Sequence, residues 1–350
     1  MKMSYRSLAA AAAALAMVAV GPGSGVPANA AAKSPAVVPP PYTIGVSNDS
    51  VANPFRVQML NEVKYFAQTH PNLIKKVIYL NANGDTNTQI SDVEDLISAH
   101  VNGILLSPNS STAFASVLKS AKAAGIPVAT YNMSITTGSS DIIAQVAPPF
   151  TAWEHYNTAW LAKQMHGKGN VVVFRGLAGT PVDAEEWAGA QQVLQANPGI
   201  KVVCTEYAAW DYGTAKTAAE NCLANHPDVN GILSFGDAMT WAVGQVMTNM
   251  GYNMKDIPFI GIGGGNGAIC WWAKLKGVNG QMLADRTDVS AFAAQDLVNY
   301  LEGKVGVKAA IPQVTIGNNN VAKYANFKMP ANVWLIGTSM PLSILKKWEG

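Results

Sequence analysis

The chain has 350 residues, of which 49% are hydrophobic and only 13% are charged, so it is globular and longer than one average domain. We therefore expect two lobes. The formal net charge of +2 comes entirely from Lys2 and Arg6, which lie in a segment that we expect to be removed. The remaining chain is neutral, which argues against a function in binding nucleic acid or an anionic membrane.

The first thirty residues have the pattern of a secretory signal peptide. Lys2 and Arg6 precede an apolar run over 8–20, and Ala28-Asn29-Ala30 is a cleavage signal. The apolar run is too short for a transmembrane helix. No cysteine follows the cleavage signal, so we expect a protein that is not lipid-anchored and is free in an exported space, most simply a bacterial periplasm. Residues 31–41, rich in Pro and Ala, are predicted to be a tether.

From Tyr42 onwards, short apolar runs alternate with longer amphipathic stretches. The runs are rich in Val, Ile and Leu and do not alternate with polar residues, as expected for strands covered on both faces. This order predicts an α/β fold with parallel sheets and right-handed crossovers. The first series predicts strands at 42–47, 76–81, 103–107, 126–131 and 142–146, and helices at 54–69, 86–100 and 111–124.

The same alternation then starts again, and Pro148-Pro149 marks the crossing between two lobes. Two later crossings are predicted, at a helix ending near Glu302 and after a strand near 312–316. The first lobe is thus predicted to hold 42–147 and 286–317, and the second lobe 148–285 and 318–350. The second series predicts strands at 170–174, 201–206, 230–235, 258–262 and 279–284, and helices at 151–166, 183–196, 213–225, 238–250 and 267–276.

Cysteine usage is compatible with export. Cys204 lies early in a predicted strand and Cys222 late in the helix that follows, and an antiparallel strand–helix pair brings these ends together. A disulfide between them is therefore expected, with two buried free thiols as the alternative. Cys270 is left over, and no cysteine spacing indicates a metal or haem site.

The stretch from Tyr42 to Arg56 reads as strand, polar loop and helix start, which is the unit with which parallel α/β proteins hold small molecules. Asn53 suits the N-cap and Pro54 the first helical turn. The alternative is that Asn53 only caps the helix and Phe55 only packs in the core.

The chain resembles the type I periplasmic solute-binding proteins of the ribose/galactose-binding group, which serve ABC importers. That resemblance implies two Rossmann-like lobes joined by three hinge crossings, a solute enclosed between them, a membrane permease as partner, a monomer, no cofactor and no catalysis. The segments that carry the resemblance are Asn53-Pro54-Phe55, 103–108, 124–128, 176–180, 225–229 and 261–264.

Loops at the predicted strand ends supply the polar and aromatic groups that a small hydroxylated solute needs. Trp210 and Phe55 fall where relatives of this family place stacking aromatics. The residues expected to bind the solute are Asn53, Phe55, Arg56, Tyr131, Asn132, Glu186, Trp187, Trp210, Asp237 and Asp285.

The sequence departs from the family's sugar binders at their polar positions. Asn132-Met133 replaces an Asp-Arg pair, Glu186 replaces an arginine, and Asp285 replaces a glutamine. The site is then net acidic, with Arg56 and Arg286 as possible partners. This favours a sugar or polyol other than ribose, or alternatively a cation or aromatic molecule in an aromatic box.

The same carboxylates have a structural alternative. Asp183, Asp211 and Asp237 all precede predicted helices and suit N-caps. The glycine-rich run 261–267 follows a strand but lacks dinucleotide-binding spacing, so we expect it to allow close backbone approach to ligand or hinge. Other functions left open are a receptor module that reports to a membrane sensor and, less favoured, an exported α/β enzyme.

Overall fold

The computed structural model describes residues 37–275, 277–304 and 311–348. The predicted signal peptide and most of the predicted tether lie outside the described residues. The end of the tether is packed rather than extended into solvent, since the Val38 N–H donates to the Leu301 carbonyl at 3.1 Å. None of the described helices is both long and apolar enough to cross a membrane.

The first half of the chain forms a parallel five-stranded sheet. Its strands and helices are β1 (Tyr42–Asn48), α1 (Pro54–Thr69), β2 (Ile74–Asn81), α2 (Thr86–Ser98), β3 (Gly103–Leu106), α3 (Ala115–Ala123), β4 (Val128–Tyr131) and β5 (Ala144–Val146). The strand order is β2-β1-β3-β4-β5. Helix α3 begins four residues later than predicted, because Ser110 Oγ accepts the N–H groups of Thr112 and Ala113 in a turn.

The second half forms a six-stranded sheet and ends in short helices. Its elements are α4 (Phe150–Gln164), β6 (Lys168–Arg175), α5 (Pro181–Ala196), β7 (Gly199–Tyr207), α6 (Tyr212–Asn225), β8 (Gly231–Ser234), α7 (Asp237–Asn249), β9 (Phe259–Gly263), α8 (Asn266–Lys274), β10 (Gly280–Ala284), α9 (Val289–Leu301), β11 (Thr315–Gly317), α10 (Val321–Tyr324) and α11 (Leu342–Trp348). The order is β11-β10-β9-β8-β6-β7, parallel except for β11. Two α/β lobes are thus confirmed.

Helix α9 and strand β11 return to different lobes. The apolar face of α9, including Leu297 and Leu301, packs into the core of the first lobe beside Tyr42 and Val63. The predicted range 286–317 for the first lobe is too long, because β11 pairs antiparallel with β10 in the second sheet. A three-residue edge strand carries too little hydrophobic pattern to be assigned to a sheet from sequence.

The C-terminal tail was predicted to pack on the second lobe, and it contacts both lobes. Ile336 is part of the second-lobe core. Val333, Met340 and Leu345 instead form a cluster that includes Tyr65 of α1 in the first lobe. The tail therefore bridges the lobes, because α1 offers it both an aromatic ring and buried polar side chains.

Cys204 of β7 and Cys222 of α6 are joined in a disulfide with their Cα atoms 6.0 Å apart. The cross-link ties an edge strand of the second sheet to the helix that follows it. Cys270 is a free, partly buried thiol that donates to Asn266 Oδ1 at 3.2 Å.

Candidate solute-binding cleft

A cavity of about 350 Å³ lies where loops of the two lobes meet. The loop after β1 and the first residue after β4 line it from the first lobe. The second lobe lines it with the start of α5, the loops after β7 and β8, the end of β9 and the first residue after β10. Residues 331, 332 and 334 add a part of the wall from the C-terminal tail. The carboxyl ends of parallel strands thus converge on it, as expected for a ligand site in α/β proteins.

Eight of the ten residues predicted to bind a solute line this cavity, and Tyr131 and Trp187 do not. Tyr131 is fully buried in the first-lobe core. Trp187 packs 6.4 Å from the ring of Phe235 and beneath the guanidinium of Arg175, 4.9 Å away. Both are structural aromatics. The eight that line the cavity are Asn53, Phe55, Arg56, Asn132, Glu186, Trp210, Asp237 and Asp285.

Further lining residues were not among the predicted ones. Phe150 begins a helix directly after Pro148-Pro149, and this position at a lobe crossing is a signal that could have found it. Trp334 lies in the C-terminal tail, after the last of the repeated α/β units. It does not follow a strand of either repeat, so reasoning from strand ends does not predict it. The others are Ala52, Pro54, Val182, Asp211, Tyr212, Phe235, Gly236, Ala238, Trp241, Ile262, Gly263, Ala331 and Asn332.

Asn53 and Phe55 open α1 at the edge of the cavity. Asn53 is the N-cap, and its Oδ1 accepts the Arg56 N–H at 3.0 Å. Phe55 meets Trp334 edge to face, with ring centroids 5.2 Å apart. Asn53 therefore caps the helix and borders the cavity at the same time, so the two interpretations of this residue do not exclude each other.

Arg56 is buried, and its charge is compensated within the first lobe. Its Nη1 lies 3.0 Å from Asp49 Oδ2 and donates to Ser107 Oγ at 3.3 Å. Burial raises the pKa of Asp49, and the Arg56 charge partly offsets this. Arg286 was predicted as a second cation for the cleft, but its guanidinium makes a bidentate pair with Asp288 at 2.9 and 2.6 Å.

Asn132 immediately follows β4 with φ of 65°. This left-handed conformation is one that asparagine tolerates better than most residues. Its Oδ1 is buried and has no hydrogen-bond partner among the described residues. A buried amide oxygen without a partner is costly, so it is suited to accept a hydrogen bond from a bound molecule.

Trp210 is held rigidly against the second lobe. Ala209 and Trp210 both have left-handed backbone, with φ of 52° and 55°, which is rare for a tryptophan. The indole Nε1 donates to the Phe235 carbonyl at 2.8 Å. Added Cβ atoms at Gly176 and Gly236 would lie 2.3 and 2.5 Å from its ring, so glycine is required on both sides. The ring is a pre-organised apolar wall of the cavity.

Glu186 is the most deeply buried carboxyl group of the cavity lining, with 1% of its surface exposed. Burial raises its pKa well above the ordinary value, and the neighbouring carboxylates of Glu154 and Asp285 raise it further. Its Oε2 has no partner among the described residues. Glu154 lies behind it, fully buried, and burial raises its pKa to about 8.

Asp237 and Asp285 also have raised pKa values, each about 7, mainly because of burial. Asp237 Oδ1 accepts the N–H groups of Gly264 and Gly265, both at 3.0 Å. The N-cap of α7 is Gly236, so Asp237 does not cap that helix as predicted. It holds the loop before α8. The glycines of the run 261–267 leave room for the Asp237 side chain and for the neighbouring tryptophan rings.

Of the other two residues predicted to cap helices, Asp211 does so and Asp183 does not. Asp211 is the N-cap of α6, where its Oδ1 accepts the Thr214 N–H at 2.7 Å. Asp183 is not a cap, because Thr180 occupies that position. Its carboxylate instead pairs with Arg175 at 2.6 Å and accepts the Gly176 N–H at 3.1 Å. This contact anchors the glycine that the Trp210 ring requires.

Comparisons with known proteins agree with this architecture. The family model described as periplasmic binding protein domain matches residues 44–305. The ribose import binding protein of Bacillus subtilis (strain 168) is 29% identical over 228 residues, which cover 65% of this chain and 72% of that protein. The xylitol-binding protein of Mycolicibacterium smegmatis is 28% identical over 190 residues, which cover 54% of this chain and 53% of that protein.

A solved structure shows the same fold. The binding protein of the arabinose ABC transporter from Shewanella sp. ANA-3, bound to α- and β-L-arabinofuranose, superposes with a TM-score of 0.72 at 22% identity. The superposition covers 81% of this chain and 94% of that one. The chain belongs to the periplasmic binding protein domain family.

Proposed function

We propose that this protein captures a small, neutral, hydroxylated solute, a sugar or polyol, between its two lobes. The observation that carries the proposal is a pair of buried, unpartnered oxygen acceptors on the lining of one cavity, Asn132 Oδ1 and Glu186 Oε2. Each hydroxyl of a solute stripped of water needs such a partner, or the desolvation cost prevents binding.

The apolar part of the lining suits the same kind of solute. Phe55, Trp210 and Trp241 present aromatic surface to the cavity, on which the C–H faces of a sugar or polyol can pack. A volume of about 350 Å³ falls in the range of small-molecule sites. The names of the relatives, for ribose, xylitol and arabinose, agree with this class of solute.

Ribose itself is not the solute that we propose. Asn132-Met133 stands where the family's ribose and galactose binders carry an Asp-Arg pair, and Glu186 stands where they carry an arginine. At Glu186 the lining thus offers an acceptor where those proteins offer a charged donor, and at Met133 the charged donor is replaced by an apolar side chain. A solute with an open-chain or unusual arrangement of hydroxyl donors fits these acceptors better.

A small cationic solute is the second candidate, because three of the acidic groups of the cavity form no salt bridge among the described residues. Within the described part of the chain, no salt bridge reaches Glu186, Asp237 or Asp285. Carboxylates beside aromatic rings form an environment that binds ammonium groups. This candidate predicts that the carboxyl groups lose protons when the solute binds.

A thermal-shift screen tests the proposed solute class. A solute at a hundred times its dissociation constant stabilises the protein by about 2.7 kcal/mol, which raises the melting temperature measurably. We expect xylitol, myo-inositol or a furanose sugar to stabilise the protein more than ribose does. Stabilisation by choline alone would replace the first candidate by the second, and no stabilisation by any of these solutes would contradict both.

The site of action and the partner follow from the same proposal. We infer that the protein is exported by cleavage after Ala30, is not lipid-anchored, remains a monomer and delivers its solute to a membrane ABC permease. Closure of the lobes on the solute would produce the form that the permease recognises. Stimulation of the permease's ATPase by solute-loaded protein would support this, whereas a response only from a membrane sensor would favour the receptor alternative.

A further inference from the structure

Residues 326–340, which we name the C-terminal strap, follow the part of the chain that the family model matches. The strap crosses from the second lobe to the first and passes the cavity on the way, where Ala331, Asn332 and Trp334 line it. A periplasmic binding protein domain bounded by residues 44–305 would lack this part of the wall.

The beginning of the strap is fastened to the second lobe at the start of α8. Asn266 is 2% exposed, and its Nδ2 donates to the carbonyls of Asn326, Met329 and Pro330 at 2.8, 3.0 and 3.2 Å. The Asn266 backbone N–H donates to the Val333 carbonyl at 2.8 Å. One buried side chain thus fixes a whole turn of the strap.

The end of the strap is fastened to α1 of the first lobe by two buried side chains. Gln58 makes a reciprocal pair with Trp334, in which its Nε2 donates to the Trp334 carbonyl at 2.9 Å and its Oε1 accepts the Trp334 N–H at 2.8 Å. Glu62 accepts the Thr338 hydroxyl at 2.5 Å and the Ser339 N–H at 3.1 Å. These contacts bring together residues more than 270 positions apart in sequence.

Trp334 is held between these two sets of contacts, and its indole N–H makes no hydrogen bond to the described residues. Its side chain lines the cavity and is edge to face with Phe55, while the residue as a whole is only 7% exposed. Its indole Nε1 is buried and has no partner among the described residues. An indole N–H can only donate, so the group requires an acceptor oxygen that the described residues do not supply.

We propose that the C-terminal strap is a third wall of the cleft and that Trp334 donates its indole N–H to an oxygen of the bound solute. On the described cavity lining, the buried polar atoms without a partner are two acceptors, Asn132 Oδ1 and Glu186 Oε2, and two donors, the indole N–H groups of Trp241 and Trp334. Trp334 would therefore help to select solutes that present both a hydroxyl donor and an exposed oxygen acceptor. The proposal rests on the proposed solute-binding function, and it adds a specificity residue outside the matched family domain.

The first experiment measures solute affinity by calorimetry in Trp334→Phe, which retains an aromatic ring and loses the N–H. We expect about tenfold weaker binding of the best solute from the screen, the usual effect of one lost hydrogen bond. The matched control is Trp348→Phe, since Trp348 contacts Tyr65 and Lys64 and does not line the cavity. Its affinity should equal the wild type, and equal affinity in both variants would overturn the role of Trp334.

A second measurement does not depend on the variant folding well. In ¹⁵N-labelled wild-type protein, the indole N–H resonance that is missing from Trp334→Phe should move downfield when solute is added, because it gains an acceptor. The Trp348 indole resonance should stay in place. A Trp334 resonance that does not respond to a solute that binds would contradict the proposal.

A third measurement needs no solute and separates the strap from the solute-binding function. In ligand-free protein we expect the backbone amides of Trp334 and Ser339 to be protected from hydrogen exchange, and Gln58→Ala to remove the protection at Trp334. If no solute binds the wild type, the proposed function fails, and this measurement alone decides whether the strap forms a wall. Amides that exchange freely in the wild type would overturn the strap itself.

Discussion

The two lobes differ in whether the charged groups that face the cleft are paired with an opposite charge. In the first lobe, Arg56 is paired with Asp49 and Ser107 inside the lobe, so its charge is already compensated before any solute arrives. In the second lobe, Glu186 and Asp237 are buried at the cavity without a cationic partner among the described residues. The first lobe therefore presents a compensated charge and the unpartnered acceptor Asn132 Oδ1 to the cavity, whereas the second lobe presents carboxyl groups without a cationic partner among the described residues.

From this difference we infer that the second lobe and the strap contribute most to solute selection. A carboxyl group with a raised pKa near neutrality can hold a proton in the empty cleft at little cost. Hydroxyl donors of a solute would then complete its hydrogen bonds without introducing a charge. The aromatic ring of Trp210 is fixed by its backbone and by two glycines, and we propose that it sets the orientation in which the solute meets these groups.

The largest effect is expected when the compensated pair of the first lobe is broken. Arg56→Met should reduce the free energy of unfolding by about 3–5 kcal/mol, because it leaves the buried carboxylate of Asp49 without its partner. Chemical denaturation measures this. The double variant with Asp49→Asn should recover most of the loss, and a single variant as stable as the wild type would show that the pair is not what compensates the charge.

Removing the fixed aromatic wall of the second lobe comes next. Trp210→Ala should weaken solute binding by about 2–4 kcal/mol while the folded structure is retained, since the ring is a rigid contact at the cavity. Calorimetry measures the affinity and circular dichroism the fold. Trp271→Ala is the matched control, because Trp271 lies on the same lobe outside the cavity and packs on Phe259, and its affinity should change by less than about 0.5 kcal/mol.

The unpaired carboxyl groups of the second lobe should make stability depend on pH. Burial raises the pKa of Glu154 to about 8 from the value of 4.5 that applies in the unfolded chain. Between these two values the folded state binds a proton that the unfolded state does not, so stability falls as pH rises. We expect the melting temperature of ligand-free protein to be lower at pH 8 than at pH 5.

The variant Glu154→Gln tests the origin of this slope. It removes the titrating group without touching the cavity lining, so its melting temperature should exceed that of the wild type at pH 8 by about 2 °C or more and differ little at pH 5. Asp237 and Asp285, with pKa values of about 7, act in the same direction and should preserve part of the slope. Parallel profiles for the two proteins would refute the assignment.

The smallest effect concerns Asn132 Oδ1, the unpartnered acceptor that the first lobe places on the described cavity lining. Asn132→Gly tolerates the left-handed backbone at this position and removes only the amide side chain. We expect solute affinity to fall by about 1 kcal/mol, the net value of one neutral hydrogen bond. A loss as large as that of Trp210→Ala would place solute selection in both lobes equally.

Most of the fold follows from the sequence, because buried parallel strands and amphipathic helices leave strong periodic patterns. The errors occur where a contact is not local. Strand β11 has three residues, and the strap depends on Gln58, which contacts Trp334 across 276 positions of sequence. No periodicity or turn signal near Trp334 carries that information.

The two predicted residues that do not line the cavity are immediate neighbours of two that do. Tyr131 ends β4 and packs in the core, while Asn132, the next residue, lines the cavity, because the chain leaves the strand at Asn132 with a left-handed backbone. Trp187 follows Glu186 on α5, and adjacent residues of a helix do not share a face. Sequence therefore predicts which loops line the cavity, and only the backbone register decides which of two neighbours reaches it.

The most direct test of a neutral solute held by the second-lobe acceptors is calorimetric titration of the best solute at pH 5, where the cavity carboxyl groups with pKa values of about 7 are protonated, in two buffers with different ionisation enthalpies. We expect saturable binding of a sugar or polyol with the same enthalpy in both buffers, because no proton is exchanged on binding. Enthalpies that differ by the equivalent of about one released proton per solute would show instead that the cleft binds a cation to ionised carboxylates.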